Sequence, residues 1–79
     1  MNWKDRIVSN PQILVGKPTV KGTRLSVEFL MGLFAGGWSR EQVLENYPHL
    51  KPDDLNAVFA FAEEMIREEE YAAVAKIDS

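Results

Sequence analysis

The chain has 79 residues and a net charge of -3, and 46% of its residues are hydrophobic and 27% charged. This length allows one small domain, and this balance is typical of a folded globular protein, which argues against intrinsic disorder. The sequence contains no cysteine, which excludes disulfides and thiolate zinc sites. Its longest apolar stretch, residues 29–35, is too short to span a bilayer, and no apolar signal core follows the first residues, so we expect a cytoplasmic protein with no membrane contact.

The charge is divided between the two halves of the chain. Residues 1–40 carry six Lys or Arg against two acids, a net charge of +4, and residues 41–79 carry three against ten, a net charge of -7. This division indicates two surfaces with different partners, an anion at one end and a basic protein at the other. The alternative is that a small domain solvates itself with charges of both signs and that the division has no functional meaning.

The N-terminal arm, residues 1–25, shows no helical periodicity. Three short runs of β-branched and aliphatic residues, at 7–8, 13–15 and 19–20, are each followed by a turn signal rich in Gly, Pro, Asn or Thr. This pattern predicts short extended segments joined by tight turns, that is, a β arm or hairpin. Because strands this short are marginal alone, we expect them to lie on the helices or to pair with another chain.

The first helix is predicted to begin after Ser26, whose hydroxyl can cap it, with Glu28 in the first turn, where the helix dipole favours an acid. Gly36-Gly37 predicts a left-handed stop. Apolar residues between these points cover most of the helix circumference, with Phe29 and Leu33 on a second side. We therefore expect this helix to be buried on two faces.

Two further helices follow. Ser39 and Gln42 form the Ser-x-x-Gln pattern of a capping box, and Pro48 ends this second helix. The third helix is predicted to begin near Pro52, with helical spacing of apolar residues through the next three turns. Three helices with a turn of about five residues between the last two have the outline of a helix-turn-helix domain, although periodicity alone leaves other small bundles open.

The predicted domain organisation is therefore a single, mainly α domain. It comprises the β arm over residues 1–25, a helix-turn-helix core over residues 26–67, and a helical or frayed tail over residues 68–79, which carries no cap.

We find no candidate active site in the sequence. The one histidine, His49, lies in a predicted turn where a local hydrogen bond is its plainest role, and the adjacent acids Asp53 and Asp54 diverge by about 100° on a helix and cannot act as a dyad. Metal binding needs a convergent cluster that one histidine and scattered acids do not offer. The expectation is a protein that is not an enzyme, with no metal, no cofactor and no small-molecule substrate.

A positive edge for nucleic-acid phosphates is the first binding hypothesis. The candidate DNA-binding residues are basic residues of the arm and helix starts, together with one amide that can address an adenine edge: Lys17, Lys21, Arg24, Arg40, Lys51 and Asn56. The pI of 5.0 and the carboxylates of Asp53 and Asp54, which phosphates repel, count against this hypothesis.

Protein association is the second hypothesis. The candidate partner-binding residues are apolar side chains on or beyond the third helix's main stripe, where a thin core does not need them: Phe61, Met65, Ile66, Tyr71, Val74 and Ile77. An amphipathic tail that follows an acidic run is also what a basic partner captures by coupled folding. The alternative is that the tail folds back onto its own domain.

Two sets of motifs resemble the family known as domain of unknown function 433, over about residues 6–66. The first set opens the chain: Arg6-Ile7-Val8, Asn10-Pro11-Gln12-Ile13-Leu14, and Gly16-Lys17-Pro18-Thr19-Val20-Lys21-Gly22-Thr23-Arg24-Leu25-Ser26-Val27. The second set comes later: Leu33 through Gly37, Ser39 with Glu41-Gln42-Val43-Leu44, Tyr47-Pro48-His49-Leu50, and Asp54-Leu55. The Gly-Lys-Pro…Lys-Gly-Thr-Arg segment together with Tyr-Pro-x-Leu is specific.

The resemblance implies a homeodomain-like helix-turn-helix fold preceded by a small β element. It also implies a VapB-type antitoxin, which binds and neutralises a PIN-like ribonuclease toxin and with it represses their own promoter. The expected partners are then the toxin, operator DNA and a second copy in a homodimer. A protein-only dimerisation or docking module that does not bind DNA is the alternative.

One residue departs from the family pattern. Where the family usually offers Ser or Thr as the cap of the third helix, this chain has Lys51. The cap is expected to be weaker by about 1 kcal/mol unless Asp54 compensates.

Overall fold

A computed structural model describes the backbone of residues 2–78 and the side chains of residues 2–68. Its elements in chain order are a 3-10 turn (Trp3–Asp5), strand β1 (Ile7–Ser9), a second 3-10 turn (Leu14–Gly16), strand β2 (Pro18–Val20), and helices α1 (Val27–Ala35), α2 (Arg40–Asn46) and α3 (Pro52–Asp78). The three helices and the N-terminal hairpin confirm the predicted elements, and together they form a small α+β fold.

The hairpin lies on the helices, as expected for strands this short. β1 and β2 are antiparallel, with Ile7 opposite Val20 and Val8 opposite Thr19. Ile7 and Val20 are buried in the core, and Thr19 makes a further bridge to Ser26 at the start of α1. The arm therefore contributes one face of its short sheet to the core.

The extended segment predicted at residues 13–15 is wrong. The chain makes a tight turn there, closed by hydrogen bonds from the Gly16 N–H to the Ile13 carbonyl at 3.1 Å and from the Lys17 N–H to the Leu14 carbonyl at 3.2 Å. Leu14 and Val15 have φ of +50° and +56°, in the left-handed region. Branched aliphatic residues disfavour that region, so local preference predicted a strand.

The helix boundaries predicted from capping residues are confirmed for α1 and α2. The Ser26 hydroxyl accepts the Phe29 N–H at 2.9 Å, and both hydrogen bonds of the Ser39–Gln42 capping box are present. Past the end of α1, Gly37 has a φ of +96°, which only glycine adopts without strain. These boundaries follow from bonds within one turn of chain, which sequence spacing encodes directly.

Helix α3 begins at Pro52, as predicted, and its unusual cap is compensated. The Asp54 carboxylate accepts the Lys51 N–H at 2.8 Å, so the third residue of the helix satisfies the N–H of the residue before it. This is the compensation that the sequence allowed for Lys51.

The core lies where α1, α2 and the first half of α3 meet the hairpin. Its buried hydrophobic residues are Ile7, Val20, Val27, Leu30, Val43, Leu50, Leu55, Ala57 and Val58. The expected burial of α1 on two faces is wrong for Phe29, which is 43% exposed and rests edge-to-face on Tyr47 with 5.9 Å between ring centroids. Leu33, on the same side of α1, is half-buried against the core, so the expectation is wrong for Phe29 alone of these two.

Candidate nucleic-acid interface

A polar cavity of about 210 Å³ lies between the hairpin and the start of α3. Its lining joins three cationic side chains, one imidazole and two carboxylates from four parts of the chain: Asp5, Arg6, Lys21, His49, Lys51 and Asp54. Two of the candidate DNA-binding residues, Lys21 and Lys51, are thus brought to one place although they are far apart in sequence. Sequence analysis missed Arg6 and His49 as members of this site.

The acids at the start of α3 are held by partners within the chain. Arg6 places Nη1 2.9 Å from Oδ1 of Asp54 and Nη2 3.7 Å from Oδ2 of Asp53. The second oxygen of Asp54 accepts the Lys51 N–H, and this carboxylate is largely buried. Because the Asp54 charge is directed inward to Arg6, it opposes a phosphate at the cavity mouth less than the sequence suggests.

The ammonium groups of Lys21 and Lys51 have no such carboxylate partner among the described side chains. Both side chains are exposed, and neither forms an ion pair with any side chain of residues 2–68. Lys21 is positioned by its backbone, since its N–H donates to the Arg6 carbonyl at 2.8 Å. Two unpaired ammonium groups on a rigid hairpin and a helix start are suited to bind phosphate oxygens.

Lys17 and Arg24 lie elsewhere, along a groove of about 660 Å³ beside the start of α1. Lys17 Nζ is 2.8 Å from Oε1 of Glu28. This hydrogen bond, together with the lysine's charge, lowers the pKa of the Glu28 carboxyl. The structure therefore does not bring Lys17 and Arg24 into the polar cavity.

Arg40 and Asn56 bind each other. Nη2 of Arg40 donates to Oδ1 of Asn56 at 2.9 Å, and the guanidinium lies 5.8 Å from the ring centroid of Phe59. This pair ties α2 to α3 on an exposed surface. An adenine amino group would donate to this same oxygen, which can accept two hydrogen bonds, so Asn56 would share it between the base and Arg40.

The predicted partner-binding residues divide into three groups. Phe61 is half-buried and packs edge-to-face on Trp3 with 4.8 Å between centroids, and Met65 is half-buried. Ile66 is 57% exposed beside a cavity of about 450 Å³. The side chains of the other three, Tyr71, Val74 and Ile77, lie outside the described residues.

Neither a metal centre nor a membrane span is found in the part of the chain that the structure describes. No three His, Asp or Glu side chains there come together as metal ligands would. No described helix combines the length and apolar character needed to cross a bilayer.

Comparison with known proteins supplies the family. Residues 7–62 match the family described as "Protein of unknown function (DUF433)". "Uncharacterized protein y4eO" of Sinorhizobium fredii (strain NBRC 101917 / NGR234) is 35% identical over 60 residues, which cover 76% of this chain and 27% of that protein. This chain thus spans about a quarter of that relative's length.

A crystal structure of a DUF433 member protein from Anabaena variabilis ATCC 29413 shares the fold. It superposes with a TM-score of 0.72 at 22% identity and covers 96% of this chain and 71% of the other. Since the family match extends over well more than half of the residues, the chain belongs to the DUF433 family.

Proposed function

We propose that the protein is an antitoxin-like regulator that binds DNA through the polar cavity and a PIN-like ribonuclease toxin through the far half of α3. It performs no catalysis and neutralises the toxin by binding it. The single observation that supports the DNA-binding part is the convergence of Lys21 and Lys51 on one cavity, in which Arg6 holds one of the two carboxylates, Asp54.

In this proposal α2, the turn at residues 47–51 and α3 act as a helix-turn-helix unit of the homeodomain-like type. The Arg40–Asn56 hydrogen bond holds the two helices at a defined angle. The unpaired lysines then bind neighbouring phosphates on one side of the groove that α3 enters. Autoregulation of the operon follows from binding its promoter.

The far half of α3 is proposed to bind the toxin. The helix has 27 residues, about 40 Å at 1.5 Å per residue, and among its side chains up to residue 68, the last one described, none beyond Val58 is fully buried. Residues 63–70 carry five Glu and one Arg. A ribonuclease binds a polyanion, so its substrate surface is basic. The acidic segment of α3, which also exposes Ile66, is complementary in charge to such a surface.

The DNA-binding part is tested by fluorescence anisotropy of the full chain on its own promoter duplex over a series of salt concentrations. The double variant Lys21→Glu, Lys51→Glu is expected to bind at least about tenfold more weakly, with the salt slope reduced by about two, because two phosphate contacts are lost. Lys4→Glu reverses one exposed charge outside the cavity and is the control matched in charge to each of the single variants Lys21→Glu and Lys51→Glu, which are measured beside the double variant. Equal affinity of the double variant and the control would overturn the proposal.

The toxin-binding part is tested by capture of the tagged protein from its own host followed by mass spectrometry. We expect a PIN-like protein in stoichiometric amount, and Ile66→Asp is expected to lose it while it retains DNA affinity. Capture of the chain by itself alone contradicts a toxin partner.

A docking module that never binds DNA is the second candidate. The observation in its favour is that Lys17 and Arg40 are already engaged by Glu28 and Asn56. Salt separates the two candidates: phosphate contacts lose affinity steeply as salt rises, whereas an apolar docking surface does not.

A further inference from the structure

An apolar groove lies beside the start of α1, away from the polar cavity. It has a volume of about 660 Å³, and its apolar lining comes from Leu14, Val15, Leu25 and Phe29. Val15 is 94% exposed, and Leu14 and Phe29 are 41% and 43% exposed. Large apolar side chains grouped this way on a small domain mark a surface that is covered in the functional state.

The backbone that presents Leu14 and Val15 is strained. Two consecutive non-glycine residues occupy the left-handed region there, and one of them is β-branched. This conformation places the Val15 side chain in solvent, so within one copy the strain is not compensated by burial. Strain of this kind is concentrated at binding sites, where the bound partner contributes the missing contacts.

The rim of this groove is basic. Lys17 is neutralised by its bond to Glu28 at 2.8 Å, which leaves the exposed Arg24 as the remaining charge. An occupant of matching chemistry is apolar and acidic.

The chain itself carries such a segment at residues 63–70, with five Glu against one Arg. The one basic residue of this segment, Arg67, forms an ion pair with Glu63 one helical turn away. Ile66 in the same segment is more than half exposed. We propose that this groove binds the α3 segment 63–70 of a second copy of the chain.

The groove and the acidic segment are two different surfaces of the chain. The contact therefore gives a closed dimer only if each copy makes it to the other. In a two-fold dimer each copy inserts its acidic segment into the groove of the other, and two identical contacts form. A stable dimer buries about 1,200 Å² of surface or more, and two identical contacts bury twice the area of one. The proposed toxin contact uses the same segment, so the toxin would displace the second copy when it binds. The tests below contain neither DNA nor toxin, so failure of this inference is distinguishable from failure of the proposed function.

The first test is sedimentation velocity of the full chain over a range of concentrations, with thermal unfolding measured in parallel. We expect a dimer. Val15→Asn is expected to weaken self-association by about tenfold or more. At a concentration where both proteins are monomeric it should unfold at no lower a temperature than the wild type, since Asn tolerates the left-handed region better than Val. A wild-type chain that stays monomeric, or a Val15→Asn dimer of unchanged affinity, overturns the proposal.

The second test exchanges the charges. Arg24→Glu and the triple variant Glu68→Lys, Glu69→Lys, Glu70→Lys are each expected to self-associate about tenfold more weakly, because each places like charges in both contacts. An equimolar mixture of the two is expected to recover the wild-type affinity, since both contacts of the mixed dimer then join opposite charges. Lys4→Glu, with the charge change of Arg24→Glu but outside the groove, is expected to self-associate normally. A mixture that fails to recover contradicts this pairing.

Discussion

Two of the ion pairs that join the N-terminal arm to the helices, Arg6–Asp54 and Lys17–Glu28, differ in their surroundings. Arg6 and Asp54 are 2.9 Å apart with side chains 34% and 11% exposed, whereas Lys17 and Glu28 are 2.8 Å apart and 59% and 76% exposed. The distances are nearly equal, so distance does not distinguish them. Asp54 also caps α3 through the Lys51 N–H. The comparison teaches that burial and additional hydrogen bonds, and not contact length, decide what an ion pair contributes.

The largest effect is expected at Asp54. Asp54→Ala removes the carboxylate that pairs with Arg6 and caps α3, and it leaves the partly buried guanidinium with only the longer, more exposed contact to Asp53. We expect a loss of about 2 to 3 kcal/mol in the free energy of unfolding, measured by urea denaturation. Asp53→Ala, beside it but more exposed and 3.7 Å from Arg6, should change it by less than about 0.5 kcal/mol. Equal losses in the two variants would remove the distinction between them.

Arg6→Met is expected to cost less than Asp54→Ala, about 1 to 2 kcal/mol, because the cap at Lys51 remains while the ion pair is lost. A double-mutant cycle between Arg6 and Asp54 isolates the coupling between them. A coupling free energy near zero in this cycle would show that Asp54 acts only as a cap.

A smaller effect is expected at Ser26, the cap of α1 next to the exposed pair. Ser26→Ala removes the acceptor of the Phe29 N–H and should lower the free energy of unfolding by about 1 kcal/mol. Ser26→Asp, which keeps an acceptor at this position, is the matched variant and should retain more stability. The measurement is again urea denaturation, and an unchanged Ser26→Ala midpoint would contradict the role of the cap.

The smallest effect is expected at Glu28, and it depends on pH. The Lys17 hydrogen bond and charge hold the pKa of this carboxyl below its ordinary 4.5, so the pair stabilises the folded state above that value. This contribution is lost as the pH falls through the lowered pKa. The difference in unfolding midpoint between wild type and Glu28→Gln should therefore shrink on acidification and in high salt. A difference in midpoint that grows on acidification would contradict this prediction, because the charged pair would then destabilise the folded state.

Features that depend on neighbours in the chain were predictable. The capping box at Ser39, the cap at Ser26 and the start of α3 at Pro52 are all present where the sequence places them. Each is decided by bonds between residues two to four positions apart, and a single sequence encodes those separations directly. Even the hydrogen bond by which Asp54 compensates for the missing Ser or Thr cap at Lys51 was predictable, because the two residues are three positions apart.

Features that join distant parts of the chain were not predictable from the sequence. The left-handed turn at Leu14 and Val15 contradicts the local preference of both residues. The Arg6–Asp54 pair spans 48 residues, and in sequence analysis Arg6 counted only as one more positive charge. The DNA-binding roles predicted for Lys17 and Arg24 remain predictions, but the structure separates these residues from Lys21 and Lys51.

The sequence by itself therefore determined where the helices begin, that the arm holds short extended segments joined by turns, and that charge is divided along the chain, because local hydrogen bonds and residue spacing decide these properties. Only the tertiary structure decided which charges meet. It placed Lys21 and Lys51 at one cavity, turned Asp54 inward to Arg6, and left Val15 in solvent beside Arg24. The physical reason is that an ion pair or a groove depends on the distance between side chains in space, and packing of the core sets that distance.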